Sequence, residues 1–266
     1  MNSRKEKLQA FGRLLDIMDD LRAQCPWDMK QTMESLRYLT IEESYELSEA
    51  ILNDDLQEVK TELGDVLLHL VFYAKIASEK KAFDIADVLN SICDKLIYRH
   101  PHIYGDLEVQ DELEVKRNWE KLKLKEKGGK SSVLEGVPSS LPALVKSVRI
   151  QDKVRGVGFD WTNKKDVWAK VKEELEEFEA EVESGNTDKM EAEYGDLIFS
   201  LVNYSRHLDI NPENALERTN KKFIARFQKM EKLILLDEKN LSEMTLTEMD
   251  LYWEKAKLSL SGYNNH

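Results

Sequence analysis

The chain carries one pattern twice, and this internal repeat constrains the fold more than any other feature of the sequence. Residues 62–75 read ELGDVLLHLVFYAK and residues 193–206 read EYGDLIFSLVNYSR, so Glu, Gly, Asp, Leu, Val and Tyr recur in register at an offset of 131 residues. The same offset places EESYEL, at 42–47, on EELEEF, at 173–178. Because spacing and side-chain type agree in both segments, the repeat predicts a tandem duplication of one structural unit.

A stretch rich in glycine, serine and proline separates the two copies. It reads KEKGGKSSVLEGVPSSLP, at 125–142, and combines a charged start with turn-forming residues, as linkers do. We therefore predict a first domain at 1–128, a linker at 129–141 and a second domain at 142–266.

Both copies have the periodicity of amphipathic helices. LTIEESYELSEAIL and WAKVKEELEEFEAEV place apolar residues three and four apart and fill the other positions with acidic residues. Turn formers at 53–55 and at 184–186 predict where the first helix of each pair ends. No alternating strand pattern is present. The expected fold is all-α, with two similar helical domains built on four-helix-bundle-type cores.

Four carboxylates recur in each copy at positions that predict a metal site. Residues three apart lie on one side of a helix, so antiparallel packing of the two helices would bring the four together. Four such groups stay ionised only if a cation compensates them. Oxygen ligands alone favour Mg²⁺, with Mn²⁺ as a substitute. The predicted ligands are Glu43, Glu46, Glu62 and Asp65 in the first copy, and Glu174, Glu177, Glu193 and Asp196 in the second.

An alternative interpretation is that these residues form solvated acidic faces. EExxE alone is common on surface helices, and an isolated example binds metal in roughly one case in ten. The repeated ExxD partner at one spacing favours the metal site. Gly64 and Gly195 also favour the metal site over solvated faces. A glycine inside a helix lowers stability by about 1 kcal/mol relative to alanine, so its recurrence predicts a close backbone approach.

Cationic and aromatic residues that share helix faces are candidates for phosphate and base contacts. They are Lys222 with Arg226 and Trp253 with Lys257, which have counterparts in Lys95 with Arg99 and Trp119 with Lys123. Taken singly, each is more often a solvated lysine or a core tryptophan. Lys170 and Lys189 each precede a predicted ligand by one turn, whereas the first copy has Leu39 and Glu58 there. The second copy is therefore the expected main active site.

Bulk properties exclude several classes of protein. A formal net charge of −12 argues against a general nucleic-acid binder, which needs a basic footprint. The N-terminal residues have no apolar signal-peptide core, and the longest apolar run is too short to cross a membrane. Two cysteines make neither a disulfide framework nor a zinc site. These features indicate a cytoplasmic protein.

EExxE followed by ExxD on paired helices resembles the all-α nucleoside triphosphate pyrophosphohydrolases, and the tandem arrangement resembles the MazG family. Further matching stretches cover nearly the whole chain: CPWD at 25–28, QT at 31–32, RHPHIYGD at 99–106, SVLEGVPSSLPAL at 132–144, GFDW at 158–161 and NKKFIARF at 220–227. Met33 departs from the pattern, because this position in the CPWD segment is usually His.

The resemblance implies Mg²⁺-dependent hydrolysis of a nucleoside triphosphate to the monophosphate and pyrophosphate, by a homodimer. It assigns the second copy's four carboxylates as metal ligands at the catalytic site and the first copy's four as a further metal site. It also assigns phosphate contacts to Lys170, Lys189, Lys222, Arg226 and Lys257, and a nucleoside contact to Trp253.

Two other classes of protein compete with this reading. A non-enzymatic helical scaffold with solubilising acidic faces predicts no tight divalent ion and no loss of function when Glu193 is changed. A di-iron carboxylate bundle requires Glu-x-x-His on two helices. His69 follows Asp65 by one turn, but the corresponding residue in the second copy is Ser200, so this reading ranks last.

Overall fold

The computed structural model describes residues 1–109 and 132–261, together with 114, 115, 118, 119 and 122. The chain divides into two compact units, Met1–Gln110 and Asp111–His266. Over the described residues the secondary structure is helical and contains no strand, which confirms the all-α prediction. The predicted linker begins outside the described residues, so the domain boundaries stay a prediction. No described helix is long and apolar enough to span a membrane.

The first unit is organised around a pair of packed helices, α2 and α3. Its helices are α1 (Arg4–Gln24), α2 (Met33–Leu52), α3 (Leu56–Glu79), α4 (Ile85–Arg99) and the short α5 (Pro101–Tyr104). The α1 helix packs on α3, and α1, α2 and α3 together form a core of Met18, Leu36, Val71, Phe72 and Ile76. Side-chain caps begin the helices: Ser3 and Glu6 form a capping box at α1, and Thr32 caps α2.

The second unit repeats this helix pair as α7 and α8. Over residues 143–261 its α-helices are α6 (Ala143–Gly156), α7 (Lys164–Ser184), α8 (Thr187–Arg206), α9 (Pro212–Leu236) and α10 (Leu246–Ser261). The α6 helix packs on α8, while α9 and α10 form a second hairpin. That hairpin has its own core of Met230, Ile234, Tyr252 and Ala256.

Short turns close the α2–α3 and α7–α8 hairpins where the sequence predicts them. The α2 helix ends at Leu52, and Asp54 has a left-handed φ of 56° before Asp55 caps α3. The α7 helix ends at Ser184, and Gly185 has a left-handed φ of 72° before residue 186 caps α8. Because these turns are short, the two helices of each pair run antiparallel, which places their carboxylates side by side.

The predicted close approach at the two repeated helix glycines is wrong within each unit. A Cβ atom added at Gly64 or Gly195 would meet no atom within 4 Å beyond its chain neighbours and the backbone of its own helical turns. The bare helix face at both glycines is therefore open, so packing inside a single unit does not explain their recurrence.

Candidate metal centre

Three of the four predicted carboxylates of the second unit converge on the α7–α8 hairpin. Glu174 and Glu177 lie three residues apart on α7, and Glu193 lies on α8. One oxygen from each lies within 4.8 Å of the other two. Glu174 is buried, Glu193 half-buried and Glu177 exposed, so the group lies at the edge of the helix pair and is open to a ligand on one side.

The first unit brings together a related but not identical trio on α2 and α3. Glu43, Glu62 and Asp65 each offer an oxygen within 4.8 Å of the other two. Glu46 is exposed and lies outside this group, as Asp196 lies outside the trio of the second unit. The predicted roles of these two carboxylates as ligands therefore stay predictions.

Mutual repulsion and burial oppose the ionisation of the clustered carboxylates. The pKa of Glu177 is raised by burial and by the charge of Glu174, against the opposing effect of Lys170. Burial also raises the pKa of Glu43, with Asp65 as the next cause. A cation bound among these oxygens would remove the repulsion.

Glu62 is the most deeply buried ligand candidate of the first unit. Its side chain is 5% exposed, and its Oε2 atom has no hydrogen-bond partner. Burial is the largest cause of its raised pKa, followed by the charge of Glu46. A buried carboxylate oxygen without a donor is costly unless something positive binds it, so this oxygen fits a metal ligand.

Lys170 pairs with the carboxylates of its own helix. Its Nζ lies 2.7 Å from Oε1 of Glu174 and 2.8 Å from Oε1 of Glu173, and these partners raise the lysine's pKa. Lys189, the other predicted cation near this trio, instead contacts Glu181 at 3.2 Å. Sequence reasoning missed Glu181, although it lies one turn after Glu177 on the same helix face.

The remaining predicted substrate contacts lie on the α9–α10 hairpin. Lys222 is exposed and Arg226 is half-buried on α9, and Lys257 on α10 forms an ion pair with Glu254 at 2.8 Å. Trp253 packs with its ring centroid 5.1 Å from that of Phe223, as a core tryptophan would.

In the described part of the chain, no hydrogen bond or ion pair connects these four residues to the carboxylate trio. In the first copy, Lys123 lies outside the described residues.

Comparison with known proteins identifies the repeated unit. The MazG nucleotide pyrophosphohydrolase domain matches residues 31–104 and 163–230, and each match contains one carboxylate trio. The helix that carries Trp253 and Lys257 lies beyond the second match.

Two curated relatives match almost end to end. The nucleoside triphosphate pyrophosphohydrolase/pyrophosphatase MazG of Thermotoga maritima is 46% identical over 258 residues, which cover 95% of this chain and 98% of the relative. The nucleoside triphosphate pyrophosphohydrolase of Escherichia coli is 40% identical over 257 residues, 94% of this chain and 98% of the relative.

A crystal structure of a MazG-related protein from Thermotoga maritima is 26% identical and covers 42% of this chain and 97% of that one. Its TM-score of 0.38 is too low to support a statement about the fold.

Proposed function

The chain belongs to the MazG nucleotide pyrophosphohydrolase family, and from that premise we propose that it hydrolyses nucleoside triphosphates to the monophosphate and pyrophosphate, with Mg²⁺ as cofactor. The observation that carries the proposal is the carboxylate trio on the α7–α8 hairpin, repeated on the α2–α3 hairpin. The proposed setting is nucleotide-pool housekeeping in the cytoplasm.

The donor atoms suit the proposed cofactor. Both trios consist of carboxylate oxygens without Cys or His, the ligand type that Mg²⁺ and Mn²⁺ prefer. Glu174, Glu177 and Glu193 would hold the ion in the second unit, with Asp196 as a further ligand on α8. When bound, such an ion neutralises charge on the phosphoryl oxygens and acidifies the attacking water.

The side chains of the second unit would bind and orient the substrate. Lys170 holds an ammonium group beside Glu174, where a phosphate oxygen could take over part of that ion pair. Lys189, with Lys222, Arg226 and Lys257, would clamp the phosphates for in-line attack. A ring face of Trp253 would stack on the base.

We further propose that the protein is a homodimer, because large apolar side chains are exposed on the α9–α10 hairpin. Leu235 is 74% and Leu236 is 78% exposed, and Phe223 and Leu258 are exposed as well. A surface of this kind on a folded protein marks an interaction site. Dimerisation would also bring cations of α9 and α10 from one protomer to the carboxylates of the other.

Product analysis tests the enzymatic proposal. The purified protein is incubated with Mg²⁺ and a mixture of nucleoside triphosphates, beside Glu193→Gln, Glu62→Gln and, as an exposed control on α7, Glu179→Gln. We expect monophosphate plus pyrophosphate, lost in Glu193→Gln and kept in the other two variants. Loss in Glu62→Gln alone would move the chemistry to the first unit. No pyrophosphate from any nucleotide would leave a duplicated acidic scaffold as the better interpretation.

A further inference from the structure

The second unit contains a large cavity at the end of its helices that faces away from the hairpin turn. It has a volume of about 960 Å³ and is bounded by the end of α6, the segment before α7, the end of α8 and the start of α9. This volume is within the range of small-molecule binding sites.

The cavity is separate from the carboxylate trio. Glu193 and Arg206 lie on the same helix, 13 residues apart, and Arg206 lines the cavity. At a rise of about 1.5 Å per residue, this separation corresponds to roughly 20 Å along α8. A ligand in the cavity would therefore not occupy the carboxylate site.

Two buried polar atoms of the lining lack partners. Gln151 is 5% exposed and donates from Nε2 to the backbone oxygen of Phe199 at 2.8 Å, but its Oε1 has no hydrogen-bond partner. Arg206 donates from both terminal nitrogens to the carboxylate of Asp160, while its Nε is buried without a partner. Both atoms are closed to solvent, and because buried polar groups are rarely left unsatisfied, a water or a ligand group bound beside them would be stabilised.

The charges and rings of the lining match a nucleoside phosphate. The side chains of Arg149 and Arg155 line the cavity and make no hydrogen bond or ion pair within the described part of the chain. Two indole rings, of Trp119 and Trp161, also line it. Guanidinium groups bind phosphate and indoles stack on bases. Asp152 and Asp209 add carboxylates that would accept from an amino group on the base.

The internal repeat allows the cavity of the second unit to be compared with the matching region of the first unit. A smaller cavity of about 340 Å³ in the first unit is lined by Ile17, Asp20, Leu21, Gln24 and Cys25. At the offset of 131, all five correspond to residues that line the larger cavity.

The arginines, however, belong to the second unit alone. Gln24 stands in place of Arg155, and Met18, a core residue 1% exposed, stands in place of Arg149. The second unit therefore has the larger cavity, and its lining contains two arginines that the first unit lacks.

We propose that this cavity is a second nucleotide site, which binds a nucleoside phosphate with its phosphate on Arg149 and Arg155 and its base against the indoles. The site is independent of the carboxylate trios and of bound metal, so it does not rest on the proposed hydrolysis.

Calorimetric titration in EDTA tests the site, because substrate binding at the carboxylates depends on a divalent ion. The full-length protein is titrated with AMP and with inorganic pyrophosphate. We expect AMP to bind, and its affinity to fall at least about tenfold in Arg155→Gln. This substitution introduces the residue that the first unit carries at the matching position, so the helix accommodates it. Trp161→Leu should weaken AMP binding and leave any pyrophosphate binding unchanged.

Three controls separate the cavity from the other sites. Gln24→Ala, in the first unit, should bind AMP as the unaltered protein does. Glu193→Gln and Lys222→Ala should also keep AMP binding in EDTA, even where they abolish hydrolysis. Equal AMP affinity in Arg155→Gln, pyrophosphate binding as tight as AMP binding, or no AMP binding at millimolar concentration would each overturn the proposal.

Discussion

Glu62 shows at the scale of one residue how burial and neighbouring charge act on a proposed metal ligand. Its carboxylate has an oxygen without a partner and lies among Glu46, Glu58 and Asp65, all of which raise its pKa. A group whose folded-state pKa is raised binds its proton more tightly in the folded protein than in the unfolded chain. Its contribution to stability is then largest at low pH and is lost as pH rises from about 4.5 through the raised pKa.

The first prediction therefore concerns Glu62→Gln. In EDTA at pH 7 the neutral amide removes the repulsion, so the melting temperature should rise by a few degrees above that of the unaltered protein. The difference should shrink as the pH is lowered, because the glutamate then takes up its proton. With Mg²⁺ the order should reverse, because the variant lacks a ligand.

Thermal unfolding followed by circular dichroism, between pH 5 and pH 8 with and without Mg²⁺, measures these changes. Glu179→Gln, an exposed carboxylate on α7, serves as the control and should follow the unaltered protein throughout. A lower melting temperature for Glu62→Gln in EDTA at pH 7 would contradict the assignment of this residue as a repelled, ligand-ready carboxylate.

At the scale of elements, the hairpin turns set how the helices that carry the clustered carboxylates meet. The left-handed position of the turn is Gly185 in the second unit, but Asp54 in the first. A residue with a Cβ atom pays about 1 kcal/mol or more in this conformation, although aspartate tolerates it better than most. The two units therefore use different residues to make the same turn between antiparallel helices.

The second prediction compares a glycine-to-alanine substitution at the left-handed turn position with the same substitution inside a helix. Gly185→Ala should lower the free energy of unfolding by about 1 kcal/mol, because alanine is disfavoured at a φ of 72°. Gly12→Ala, inside α1, should raise it by up to about 1 kcal/mol, because helical alanine is favoured and its Cβ would meet nothing within 4 Å. Urea unfolding measures both. Equal signs for the two substitutions would contradict the role given to the turn.

At the scale of the whole molecule, the residues of the predicted site in the second unit lie on two different helical hairpins. The carboxylates lie on α7 and α8, while four of the predicted substrate contacts lie on α9 and α10 with a separate core. A homodimer would resolve this division and cover the exposed leucines at the end of α9.

The third prediction tests the homodimer with two variants, each of which introduces a glutamate on α9. Leu236→Glu should convert a dimer to a monomer and remove most of the pyrophosphohydrolase activity, because it places a charge on an exposed apolar surface. Lys232→Glu introduces the same side chain at an exposed polar position on the same helix and should leave the dimer intact. Light scattering coupled to gel filtration measures the mass. A monomeric unaltered protein with full activity would refute the dimer.

The sequence by itself determined the features that depend on spacing along the chain. The duplication, the helical class and the ends of α2 and α7 all follow from local periodicity and turn chemistry, which act between residues close in sequence. The ion pair of Lys170 with Glu174 also follows from a one-turn separation.

Only the tertiary structure decided what depends on contacts between distant segments. The packing of α7 against α8 brings Glu174, Glu177 and Glu193 together and leaves Asp196 outside the trio. It also leaves the helix face at Gly195 open. The tertiary structure also assembled a cavity from α6, α8 and α9, whose residues are far apart along the chain. Helical periodicity gives each residue's face but not the rotation of that face against another helix, and the packing of the apolar core sets that rotation.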